Sequence, residues 1–197
     1  MDGVAAVIVV AGGRSSRFGA DKLQHRIGGR TLLERTVDAA GACAPVVLVG
    51  AVDAPPGVAV GVSEWPRWGG PCAAIAAGVE AVPGIEGDAL IVSADLADPV
   101  AALSALLALE AGVLTAGGRP QWLLARAPLA ALRARLDALR ADRPTLAGAS
   151  AAALVDVVEA RHAVDPQVCA DIDTPSDLPH ALPFAADPTR ELIHGTV

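Results

Sequence analysis

The chain has 197 residues, 53% hydrophobic and 19% charged, with a formal net charge of -7, which provides one domain with a substantial core and is too apolar for a disordered polymer. The acidic balance and the lack of any basic run argue against a nucleic-acid binder. The long apolar run at residues 4–13 is too short to span a bilayer and has no basic leader, and Cys43, Cys72 and Cys169 form no CxxC pair, so the reading is a reduced, cytoplasmic protein without a disulfide framework or zinc site.

Residues 4–10, rich in Val and Ile, read as a buried parallel strand that runs into a Gly- and Ser-rich loop. Leu32, Leu33, Val37 and Ala40 then fall at helical spacing, with Thr31 as the N-cap and Gly41 near the end. Strands are expected at 46–50 and, across a glycine, at 58–62; Pro71 suits the first turn of a helix over 71–82. A strand over 88–94 ends at Asp95, and a Leu-rich helix runs from about 99 to 111. Later elements are GVLTA, a strand over 121–127, a helix over 129–141, a small-residue helix over 145–155, a strand over 156–160, and a last helix beginning in TPSDL. The alternation predicts an α/β fold with a single doubly wound, mostly parallel sheet and helices on both faces, over residues 1–182, with 183–197 as a loose tail.

In such a sheet ligands bind beyond the carboxyl ends of the strands, where AGGRSSRFGADK, EWPRWGGP and ADLADP would converge. Gly12 and Gly13 allow close backbone approach, so their N–H groups can face phosphate oxygens, and Arg14, Arg17 and Lys22 stand beside them. A glycine pair after a strand is also found in turns without a ligand, and these cations single this one out. Lys22 is the only lysine in the chain, and a compact ammonium suits a crowded phosphate site better than a planar guanidinium. The net negative charge is no obstacle, because exposed charges beyond roughly 8 Å are screened while one close pair is worth about 4 kcal/mol. Neither GxxxxGK[ST] nor GxGxxG is present.

Asp95, at the end of a rigid strand, is placed as a Mg²⁺ ligand, whereas Asp98 before Pro99 reads as a helix cap. Asp171 and Asp173 add two carboxylates, one of them a candidate second metal ligand, while Asp173 or Thr174 can cap the last helix. His25, His162, His180 and His194 show no ligand spacing; Trp65, Trp68 and Trp122 either stack a flat ring or pack on the sheet rim.

AGGRSSRFGADK resembles the LAGGxSxRMGxDK signature of the molybdenum cofactor guanylyltransferases. GGRTLLERTVDA, GGPCAAIAAGVEAV, VSADLADP, GRPQWLLA and DIDTPSDL look like later segments of the same family, so the resemblance covers about residues 4–180. It implies that Val10, Ala11 and Gly12 line the nucleotide, that Lys22 touches its phosphates, and that Asp95 binds both nucleotide and Mg²⁺; the loop reading above adds Gly13 and Arg14 to the nucleotide site and Arg17 beside Lys22, and takes Asp173 as the second metal ligand. Two base-contacting positions, Asn and Asp in the family, fall on Gly50 and Glu64 here, and Phe18, Ala97 and Asp173 stand where Met, Pro and Asn are usual.

The implied reaction is transfer of GMP from GTP to the terminal phosphate of molybdopterin or the molybdenum cofactor, releasing pyrophosphate, with possible handover to a molybdoenzyme. A cytidylyltransferase for the same cofactor and a phospholactate guanylyltransferase share the fold; the DIDTPSDL ending leans to the former, and the glycine pair at Gly12 and Gly13 to GTP. A non-catalytic cofactor-binding or chaperone-like protein is the reading from another class.

Overall fold

In the computed structural model, which describes residues 3–12, 21–50, 53–84 and 86–179, the first apolar segment forms strand β1 (Val4–Val10). Its period of two divides the core: Ala6, Ile8 and Val10 face one layer, and Val7, Val9 and Ala11 face the other. After a short hairpin, β2 (Arg26–Ile27) and β3 (Arg30–Thr31), the chain enters α1 (Leu32–Gly41). Thr31 caps this helix as the sequence predicts, in a reciprocal box: its hydroxyl accepts from the Glu34 N–H at 3.0 Å and the Glu34 carboxylate accepts from the Thr31 N–H at 2.6 Å.

β4 (Val46–Val49), β5 (Val58–Val62), α2 (Pro71–Ala81), β6 (Asp88–Ser93) and α3 (Pro99–Leu107) follow. The chain continues through β7 (Gly112–Ala116), β8 (Arg119–Pro128), α4 (Leu129–Asp142), α5 (Ala152–Val155) and β9 (Arg161–Ala163). The seven-stranded sheet has the order β5-β4-β1-β6-β8-β7-β9. All pairings are parallel except those of β8, which runs against both β6 and β7. α1 and α3 pack on the face of Val7 and Val9, and α2, α4 and α5 on the face of Ile8 and Val10. The expected doubly wound sheet with helices on both sides is therefore observed. α2 lies close on β1 through Gly78, where a Cβ would stand 2.4 Å from Ile8 Cγ2. Among the described residues no helix is long and apolar enough to cross a membrane.

Three predicted elements differ. The helix expected over 145–155 is only α5, because Gly148 adopts φ +75° and its N–H leaves to bond Gly69 O at 2.9 Å, so 143–151 is a strap against the start of α2. The strand expected over 156–160 is displaced to β9: Arg161 turns back on Asp156 and on the carbonyls of Val158 and Ala160, and only 161–163 reaches β7 in register. The helix expected to reach 111 ends at Leu107, since Arg126 donates to the carbonyls of Leu107 and Leu109 and terminates it there. The last helix begins as a 3-10 turn, Pro175–Asp177, and residues 183–197 lie outside the described residues.

Candidate active site

Because β1, β4, β5 and β6 are parallel, the loops after Val10, Val49, Val62 and Ser93 open on one edge. The chain leaves β1 for β4 on one side and later returns to β6 on the other, so the end of β1 is the switch point where a crevice forms. Val10 and Gly12 stand there, and among the described residues nothing lies within 4 Å of where a Gly12 Cβ would be. Gly13, Arg14 and Arg17 lie outside the described residues. Gly50, at φ +145°, sits behind this point: a Cβ would meet Ala11 O at 2.9 Å, and its N–H is taken by Val62 O at 3.0 Å. Its role is close packing on the end of β1, and it offers the crevice neither a side chain nor a free N–H.

Lys22 opens a 3-10 turn capped by Asp21 and brings its ammonium 2.6 Å from Asp95 Oδ2 and 2.8 Å from Asp173 Oδ1. Lys22 and Asp95 are each 15% exposed, Asp173 48%. Burial works to lower the Lys22 pKa, but the hydrogen bonds and charges of Asp173 and Asp95 outweigh it and hold the ammonium above its usual value.

The loop bearing Asp95 is fixed at its backbone. Ala94 N–H donates to Val10 O at 3.0 Å, Thr36 Oγ1 donates to Ala94 O at 3.1 Å, and Arg35 donates to Ala97 O at 2.9 Å. The Ser93 hydroxyl donates to the second Asp95 oxygen, and Asp98 caps α3 as expected by accepting from the Ala101 N–H. The C-terminal segment clips onto the same loop: Ala97 N–H bonds Ala170 O and Ile172 N–H bonds Asp95 O, both at 2.9 Å. Ile172 is buried against Ile27, Leu32 and Ala97, so its two extended neighbours, Asp171 and Asp173, share the opposite side. The Asp177 carboxylate accepts from the N–H groups of Asp173 and Thr174 and holds that turn.

Asp95, Asp171 and Asp173 thus present oxygens within 4.8 Å of one another. An all-carboxylate set of this spacing suits a hard divalent cation that completes its shell with water or phosphate, as Mg²⁺ does. Burial first, then the charges of Asp95 and Asp173, raise the Asp171 pKa. Its ionisation is therefore a load on the metal-free fold: the stability held below its unfolded value near 4 is lost as pH rises through the folded value. Asp171→Asn is expected to raise the metal-free melting midpoint at pH 7, to leave it unchanged below about pH 3, and to reduce the stabilisation given by Mn²⁺. Melting curves at the two pH values check this.

On the α2 side of the edge lies a cavity of about 250 Å³, lined by Val10, Gly12, Glu64, Trp68, Pro71 and Leu123 among others. Glu64 is 6% exposed; one carboxylate oxygen accepts from the Trp68 N–H at 3.0 Å, and the other is buried with no hydrogen-bond partner among the described residues. Ser93 and the Arg35–Thr36 support were missed from sequence. Ser93, two residues before Asp95 on a strand, had a readable signal in that spacing, whereas α1 residues reach the loop only through the tertiary fold.

A family model described as the MobA-like NTP transferase domain matches residues 7–164. None of the curated proteins matches the chain by sequence. Among solved structures, molybdopterin-guanine dinucleotide biosynthesis protein A from Archaeoglobus fulgidus aligns with a TM-score of 0.59 at 17% identity, over 90% of this chain and 97% of that one. The 2-C-methyl-D-erythritol 4-phosphate cytidylyltransferase from Thermus thermophilus gives 0.60 at 20% identity, over 91% and 98%. The inositol-1-phosphate CTP transferase from T. maritima gives 0.60 at 12% identity, over 94% and 98%. At these identities the likeness carries the fold alone.

Proposed function

The chain belongs to the family of MobA-like NTP transferase domains, and on that premise we propose that it transfers GMP from GTP to the terminal phosphate of molybdopterin, metal-free or molybdenum-loaded, releasing pyrophosphate. The observation that carries the choice of base is Glu64, which lines a cavity of about 250 Å³ and whose second carboxylate oxygen is buried with no hydrogen-bond partner among the described residues. That volume lies below the roughly 300–1,000 Å³ of whole-ligand pockets and suits one ring system. An ionised carboxylate only accepts, and guanine alone among the common bases offers it two adjacent donors, N1–H and the 2-amino group. Adenine and cytosine place a ring acceptor beside their amino group, which a carboxylate repels.

The acceptor phosphate is ionised at neutral pH, so its attack on the α-phosphorus needs no general base; the bond to the β-phosphate breaks as the new one forms. Catalysis then rests on positioning and charge neutralisation. In this reading Gly12, with Gly13, Arg14 and Arg17, cradles the phosphates, Lys22 turns from Asp95 and Asp173 to a phosphate oxygen, and the fixed Asp95 loop keeps the carboxylates in place. Asp95, Asp173 and Asp171 would hold Mg²⁺, which when bound neutralises triphosphate charge and polarises the phosphoryl oxygens.

The test is pyrophosphate release with molybdopterin and either GTP or CTP, with the dinucleotide product identified by mass. GTP is expected to be preferred at least about tenfold, in keeping with 1.4 kcal/mol per decade. A preference for CTP overturns the base assignment, and product from neither nucleotide favours a non-catalytic cofactor-binding protein. Glu64→Gln is expected to lower kcat/KM for GTP by about 10–100-fold, since a hydrogen bond to a charged group is worth about 1.5–3 kcal/mol, with a smaller effect on CTP.

A further inference from the structure

We propose that Trp68 is the stacking wall for the base and so a specificity-determining residue of the site, an inference that rests on the base-pocket reading above. Trp68 is the only non-glycine residue with positive φ, +64°, among the described residues. For a bulky side chain this conformation is an outlier that costs about 1–3 kcal/mol and persists only where the surroundings over-determine it.

Three neighbours hold it. Its N–H is fixed by the buried Glu64 carboxylate at 3.0 Å. The next residue, Gly69, donates to Pro66 O at 2.8 Å and accepts from the Gly148 N–H at 2.9 Å. A side chain at Gly69 would stand 2.7 Å from Pro66 O and 2.9 Å from Ala73 Cβ, so the loop closes tightly onto α2.

Core packing does not account for this outlay, because Trp68 remains 48% exposed. What the strained backbone achieves is to place Trp68 in the lining of the cavity that Glu64 also lines. One carboxylate then has two tasks in this proposal: one oxygen fixes the Trp68 backbone, and the other, buried and without a hydrogen-bond partner among the described residues, is left to accept from the edge of a ring stacked on the indole. Arg67, which does not line the cavity, places its guanidinium 5.3 Å from the Trp68 ring centroid, a cation–π contact that helps keep the indole in place. A flat aromatic ring with adjacent donors on its edge fits this pair of groups, and a sugar or an aliphatic acid does not.

Base–aromatic stacking is worth about 1–3 kcal/mol by alanine substitution, or about 5–150-fold in affinity. Trp68→Gly separates function from fold, since glycine removes the ring and at the same time suits the positive φ. Binding is measured calorimetrically with Mg²⁺·GTP and with inorganic tripolyphosphate, in the absence of acceptor. The expected result is GTP affinity lowered about 5–150-fold, tripolyphosphate affinity unchanged, a melting midpoint within a few degrees of wild type, and recovery of most of the GTP affinity in Trp68→Phe but not in Trp68→Leu. Equal GTP binding by wild type and Trp68→Gly overturns the proposal alone. Equal losses for GTP and tripolyphosphate also overturn it, since the residue would then act through the phosphate loop. A wild-type protein that binds tripolyphosphate and no nucleoside triphosphate overturns the base-pocket reading and this proposal with it.

Discussion

Asp95→Asn is expected to lower turnover about 10³-fold with the fold intact, a loss of about 4 kcal/mol at 1.36 kcal/mol per decade. The substitution is nearly isosteric and removes one charge. The backbone of the loop stays anchored from β1, α1 and the C-terminal clip through Ala94, Asp95 O and Ala97. What goes is the least exposed carboxylate of the cluster and one of the two partners of Lys22. Pyrophosphate release at saturating GTP and Mg²⁺, beside a melting curve, checks the prediction. Retention of more than about a tenth of wild-type turnover, less than 1.4 kcal/mol of lost stabilisation, would remove Asp95 from the chemistry.

Lys22→Ala is expected to act in opposite directions on two ligands. Triphosphate binding should fall about 10–100-fold, the usual range for a charge-assisted bond of 1.5–3 kcal/mol. Mn²⁺ measured alone should bind more tightly, because the ammonium that occupies Asp95 and Asp173 in the free protein no longer competes for their oxygens. Without metal the variant should also be less stable, since three carboxylates within 4.8 Å lose their cation. The Lys22 pKa is raised, so its stabilising contribution is complete below the unfolded value near 10.4 and is lost only as pH rises through the folded value. Any pH dependence of binding between about 6 and 9 therefore belongs to another group. Calorimetric titrations of each ligand, run separately, decide the matter; parallel weakening of both would assign Lys22 a purely structural role.

The parts legible in the sequence are those governed by local chemistry. The Val- and Ile-rich strand β1, the Thr31 N-cap, Pro71 at the start of α2 and the Asp98–Pro99 cap all follow from short-range rules and all stand where predicted. So does the convergence of Lys22 with Asp95, which parallel topology forces once the strands are placed. Long-range partners decided the rest. Gly148 leaves a helical pattern to reach Gly69, Arg126 stops α3 from a strand two elements away, and β8 inserts antiparallel between β6 and β7. Glu64 and Trp68 were visible as residue types, but an orphaned oxygen and a left-handed indole are properties of a closed loop and have no local sequence signature.

The clip formed by residues 170–172 gives the protein an order of assembly. Lys22 and Asp173 meet across 151 positions, so their contact carries one of the largest loop-closure costs in the molecule and the sheet can be complete without it. During synthesis β1, β4, β5 and β6, and with them the crevice at β1, emerge well before Asp171 and Asp173 do. A nascent or partly folded chain therefore has the crevice without its full charge, and on the function proposed above triphosphate capture is expected only once both ends of the described chain have come together.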